Sequence, residues 1–202
     1  MSAAPGSTVP DGGADRTAGA GRARLLQAAL RLFPEDGVSE TSLQKIADAL
    51  GVTKAAVYWH YRSKDEIILA ALRPALDELE RLAVAAEAER SRRGRVELLV
   101  AGLVDLLIGN RGGLSVLMGD VAVRHLLEQN PALMGVLQRI VDQLAGPDPA
   151  LRVAATLFLV GLPGPAADPG SAALEDAELR EHLIESGRRL LLPRRSTRPG
   201  PA

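Results

Sequence analysis

GVTKAAVYWHYRSKDE, residues Gly51–Glu66, is the stretch on which the reading of this chain turns. It holds the only Trp and both Tyr of a 202-residue protein whose aromatic content is 2%. Lys54, Arg62 and Lys64 all precede its first acid, Asp65. Gly51 supplies a turn of positive φ without a Cβ penalty. Thr53 is placed to cap a short helix running to about Tyr61, and Ser63 with Glu66 forms a capping box that opens another.

Upstream, Leu25, Leu26, Ala29, Leu32 and Phe33 recur at helical spacing and predict a first helix over about Arg22–Phe33. Pro34 cannot continue the hydrogen-bond ladder and Gly37 can take a left-handed cap, so this helix is expected to stop at PEDG. Thr41 and Gln44 fit a capping box for a second helix, with Ile46, Ala47 and Leu50 as its buried stripe and Gly51 as its end. Two short helices joined through Gly51, with a small Ala47 at their crossing and Val52 and Val57 as pins, meet the requirements of a helix-turn-helix. The first helix and the start of the fourth are expected to close a three-helix core around the pair.

The whole chain is long enough for one large domain or two small ones. Its hydrophobic fraction of 47% is mostly Ala and Leu, so the core must be aliphatic. A net charge of −1 excludes a globally basic coat but leaves room for a local basic face. With no Cys, disulfides and thiolate metal sites are excluded, and a reducing cytoplasm fits. No export signal is present, and Leu98–Ile108, interrupted by Asp105, is too short to span a bilayer. A soluble, cytoplasmic protein without a cofactor is expected.

Residues 1–20, rich in Gly, Ala, Ser and Pro, and the basic tail 193–202 are expected to be disordered. Everything between reads as helix: Ser63 toward Arg90, then Arg95–Gly109, Asp120–Gln129, Pro131–Ala145, Pro149–Leu162 and Ala172–Leu192. Pro74 is expected to kink or split the first of these, and the Pro/Gly-rich 163–171 to form a loop. The fold class is therefore all-α. A three-helix unit over 21–67, built on the helix-turn-helix, precedes a helical bundle over 68–192.

The third helix offers its N-terminus, with Thr53 and Lys54, to a phosphate or base edge. Ala55 and Ala56 permit close approach and contact with a thymine methyl. Tyr58, His60 and Tyr61 can reach phosphates, and Lys64 stands at the next helix start. Tyr61 fits equally a half-buried place against the first helix. Trp59 has three readings: packed under the fourth helix, touching a sugar–phosphate, or exposed. Arg16, Arg22 and Arg24 suit either a minor-groove arm or a solvated helix start.

Arg24–Leu72 resembles the DNA-binding domain of the tetracycline-repressor (TetR) family. The matching features are LF-x-x-x-G, T-S-L-x-x-I-A-x-x-L-G-V and V-Y-x-H-Y-x-S-K-x-E. The resemblance implies a dimeric, all-helical transcriptional regulator, usually a repressor released from its operator by a small ligand. It also implies DNA contacts at Thr41, Thr53, Lys54, Ala55, Tyr58, His60 and Lys64. Pro34 departs from the family's alanine-like residue, which suggests that helix one ends a turn early. An all-helical enzyme is the rival reading. Against it stand the missing Cys and the lack of a Ser–His–Asp set, a phosphate-binding Gly loop or an HExxH pair.

In the C-terminal part, Asp105, Asn110, Arg124 and His125 are candidate polar anchors for a ligand. Met118, Met134 and Phe158 are either pocket lining or core. His125 and Glu128 lie three apart on one helix, a spacing open to a metal, but no third ligand is identifiable and no metal is expected. Val153, Leu157 and Val160 on one helix and Leu179, Leu183 and Leu190 on the last form apolar stripes, where the family places its dimer interface. A twofold dimer implies a palindromic operator read by recognition helices about 34–36 Å apart.

Overall fold

Helix starts along this chain carry oxygen-bearing side chains, and most of them cap as their chemistry dictates. Ser42 accepts from the Lys45 N–H, Thr53 from Ala56, Ser91 from Gly94, Asn130 from Leu133 and Asp148 from Ala150 and Leu151. Each satisfies backbone donors that have no partner inside the helix. The computed structural model describes residues 13–110, 117 and 120–192. The helices are α1 (Gly13–Asp36), α2 (Leu43–Leu50), α3 (Lys54–His60), α4 (Lys64–Ala88), α5 (Arg92–Gly109) and α6 (Val121–Glu128). They continue with α7 (Pro131–Ala145), α8 (Pro149–Gly161), the short α9 (Gly164–Ala167) and α10 (Pro169–Ala172), and α11 (Asp176–Leu191). No strand occurs among the described residues, and none of their helices is long and apolar enough to cross a membrane.

Several boundaries differ from the sequence expectation. α1 already begins at Gly13, inside the segment expected to be disordered. Propagating a helix already nucleated over Leu25–Phe33 costs far less than starting one, which lets a weak sequence extend it. Its other end passes Pro34 and closes at Asp36, where the Gly37 N–H donates to Phe33 O at 3.0 Å with φ +86. The proline leaves the Leu30 carbonyl without its ladder donor, but only two residues of the helix follow it. α2 is capped by Ser42, and the expected Thr41–Gln44 box does not form: the Gln44 amide donates to Asp48 Oδ1 at 2.7 Å. α4 stays one helix through Pro74, α9 and α10 occupy part of the expected 163–171 loop, and α11 starts at Asp176 rather than Ala172.

The described residues fall into two compact units, divided between Ala70 and Ala71, with α4 running across the division. In the first, α1 packs on α2 and α3 around Leu25, Ala29, Phe33, Ile46, Ala47, Val57, Tyr61, Ile67 and Ile68, all buried. In the second, α5 is central, flanked by α7 and α11, and α8 packs on both of those flanking helices. Leu99, Val100, Leu103, Ile140, Leu144, Phe158, Leu179 and Leu191 fill its core. Phe158 and Val100 press on Gly187 of α11 so closely that a Cβ there would lie 2.8 Å from each. Ion pairs join α5 to α11 through Asp105–Arg180 and Glu97–Arg188, and α4 to α7 through Arg139 with Glu80 and Glu87. The Arg139 and Arg180 guanidinium groups are held above the usual arginine range by the hydrogen bonds they donate to these carboxylates. Arg92 donates to Leu144 O and Leu191 O at 3.1 and 2.9 Å, closing the C-terminal ends of α7 and α11.

Candidate nucleic-acid interface

α2 ends in a Schellman turn built on Gly51, at φ 65 and ψ 31. The Val52 N–H donates to Ala47 O at 3.0 Å and the Gly51 N–H to Asp48 O at 3.1 Å. Thr53 then caps α3, accepting from the Ala56 N–H at 3.2 Å. Val57 is fully buried beneath α3, whereas Val52, expected to pin the helix beside it, is exposed. With Val57 inside, helical geometry turns Thr53, Lys54, Ala55, Ala56, Tyr58 and Trp59 outward, and all six are exposed. The Lys54 ammonium lies 5.7 Å from the centre of the Tyr58 ring, and Lys54 has no acidic partner among the described residues. This face is small at Ala55 and Ala56, cationic at Lys54, and able to donate through the Tyr58 hydroxyl.

The other expected contacts are placed differently. Thr41 is buried, its hydroxyl donating to Gly37 O at 2.8 Å, so that side chain is turned into its own unit. Lys64 donates through Nζ to Val38 O at 2.8 Å and Ser39 O at 3.0 Å, back toward the turn between α1 and α2. His60 is half-buried against α1, where a Cβ on Gly21 would come within 2.7 Å of its Nε2. Tyr61 is core, with the Arg22 guanidinium stacked 4.6 Å above its ring. That stacking uses Arg22, while Arg24 is exposed and the side chain of Arg16 lies outside the described residues. Trp59 is 72% exposed and touches the His60 ring edge-on at 4.6 Å, the third of its three readings.

In the second unit the expected ligand residues do not line a common cavity. Asp105 grips Arg180 in a bidentate pair of 2.5 and 3.1 Å, and Phe158 is core. Arg124, His125, Glu128 and Met134 are exposed, with His125 sharing a 2.8 Å hydrogen bond with the Gln129 amide; Met118 lies outside the described residues. Among the described residues no three His, Asp or Glu side chains gather as a metal site requires. A cleft of about 250 Å³ opens instead between α4 and the start of α7, lined by Arg73, Leu76, Asp77, Leu79, Glu80, Asn130, Ala132, Leu133 and Val136. Sequence reasoning missed it, because the hydrophobic period of each helix does not say which two apolar stripes stand apart. Of the expected dimer residues, Val153, Leu157 and Val160 are 61, 62 and 77% exposed. Leu190 is also exposed, but Leu179 and Leu183 are buried in the unit's own core.

A capped helix-turn-helix pinned by one buried valine, with a small, cationic outer face, is the arrangement used by DNA-binding domains that insert a recognition helix into the major groove. Residues 25–71 match the model of the bacterial regulatory proteins of the tetR family, a match confined to the N-terminal unit and the start of α4. The HTH-type transcriptional regulator AcrR of Shigella flexneri is 52% identical over 46 residues, 23% of this chain and 21% of that protein. The probable acrEF/envCD operon repressor of Escherichia coli K12 is 36% identical over 83 residues, 39% of this chain and 38% of that protein. The chain thus matches well under half the length of these relatives, a transcriptional regulator and a probable operon repressor. The solved structure of the fatty acid degradation regulator FadR from Bacillus halodurans is 14% identical, with a TM-score of 0.66 over 94% of this chain and 99% of that one. That likeness extends a shared all-helical fold beyond the DNA-binding domain.

Proposed function

We propose that this protein is a homodimeric transcriptional regulator that represses from a palindromic operator and is released by a small molecule bound in its C-terminal unit. The observation that carries the reading is the outward face of α3, where Thr53, Lys54, Ala55 and Tyr58 are exposed on a helix anchored by Val57. Lys54 and the Thr53 end of α3 suit a phosphate or base edge, and Ala55 suits a thymine methyl. His60, half-buried, reaches DNA only at its free edge. Repression is favoured over activation by the matched operon repressor of Escherichia coli.

Dimerisation is supported by the row Val153, Leu157 and Val160 on α8, joined by Leu190 of α11. Apolar side chains at this spacing form one exposed stripe, which a second copy would cover. Effector binding is supported by the cleft between α4 and α7, whose apolar walls carry polar groups at Arg73, Asp77, Glu80 and Asn130. A ligand seated there bears directly on α4, the helix that begins at the DNA-binding unit. A coupling of about 3 kcal/mol between the two sites would weaken operator binding ~150-fold.

Selection of duplexes from a random-sequence pool by the full chain tests the reading. Enrichment of palindromes with half-sites about one helical turn apart is the expected result. A pool without enrichment sinks the proposal. Metabolites that raise the melting temperature are then expected to release the selected duplex, and stabilisers that leave binding intact would refute induction.

A further inference from the structure

The turn that leads from α1 into α2 is held through its carbonyls. Gly37 O accepts the Thr41 hydroxyl, and Val38 O and Ser39 O both accept the Lys64 ammonium. Val38 is itself buried, so its carbonyl has little water to turn to if the lysine leaves. Lys64 is the first residue of α4, where the helix dipole disfavours a cation. A residue that is locally wrong by this rule and bonded to two carbonyls 25 and 26 residues away is explained by its tertiary contact. The segment closed between Val38 and Lys64 contains the whole of α2 and α3.

We propose that Lys64 is a positioning residue for DNA binding: it clasps the start of α4 to the turn before α2, and so fixes the helix-turn-helix, rather than contacting a phosphate. The inference rests on the DNA-binding reading above. The clasp ties both ends of the helix-turn-helix to one ammonium group, so any change in the first turn of α4 is felt at the entry to α2.

The experiment uses the full chain, well below its melting temperature, and a labelled duplex enriched by that chain from a random pool. Lys64→Met is expected to bind about tenfold more weakly, the effect of losing one set of charge-assisted hydrogen bonds. Its slope of log K against log salt stays that of the unaltered protein, and amide exchange over residues 37–46 speeds up. Lys64→Arg, which keeps the charge and several donors, is expected to restore both readouts. Lys54→Met is the contrast and should lose about 0.9 of slope per phosphate contact. A matching loss of slope in Lys64→Met overturns the proposal, and so does unchanged affinity or unchanged exchange. If Lys64→Met does not fold, Lys64→Gln is read in the same way. If no duplex is enriched, the DNA-binding reading fails, while amide exchange still decides whether Lys64 holds the turn.

Discussion

Neighbouring side chains on α3 have opposite tasks, and single substitutions should separate them. Val57 is sealed beneath the helix, so Val57→Ala is expected to cost about 2 kcal/mol of folding stability, read by urea denaturation. Tyr58, 46% exposed, should tolerate Tyr58→Phe with no loss of stability but weaker binding of the selected duplex. Equal effects on stability from the two changes would contradict this division. Val57 was legible as core from its offset to Gly51, and that offset also turns Lys54 and Tyr58 outward, where the structure exposes them. Thr41 and Lys64 were not, because their partners are backbone carbonyls, which leave no mark in side-chain spacing. Tyr61 fitted two readings because its offset allows either face; it is buried, with the Arg22 guanidinium over its ring.

At the scale of the helix, two glycines predict opposite outcomes for one substitution. Gly135, within α7, has nothing within 4 Å of an added Cβ, so Gly135→Ala should stabilise by about 0.5–1 kcal/mol through backbone entropy alone. Gly187 gains the same propensity, but its Cβ would meet Phe158 and Val100 at 2.8 Å. Overpacking of about 1–3 kcal/mol then outweighs a propensity gain of about 1, and Gly187→Ala should lower the melting temperature. The bodies of α5, α7 and α8 were legible because Gly, Pro and cap residues bound strongly periodic runs. The ends of α1 and α11 were not: Pro34 sits where a helix can end without much loss, and nothing in 163–171 announces two short helical turns.

For the molecule as a whole, the exposed row on α8 carries the prediction. Val153→Glu with Leu157→Glu places two charges on that stripe and is expected to halve the mass measured by light scattering, with an unchanged helical spectrum. Binding to a palindromic duplex should fall with it, since two half-sites then engage independent chains. An unchanged mass would locate any self-association elsewhere. The sequence carried both apolar stripes, but periodicity alone does not say which one a unit keeps for itself. α11 turns Leu179 and Leu183 into its own core and leaves Leu190 outside. The α4–α7 cleft was invisible for the same reason.

One exposed indole has a practical consequence. Trp59 is the chain's single tryptophan, and it stands on α3 next to the residues proposed to read DNA. All tryptophan fluorescence from the protein therefore originates at that surface, and no dye is needed to watch it. Free protein should emit at the long wavelength of a hydrated indole and be strongly quenched by acrylamide. A duplex seated on α3 should shield it, and quenching that stays the same at saturating duplex would move the contact to another face.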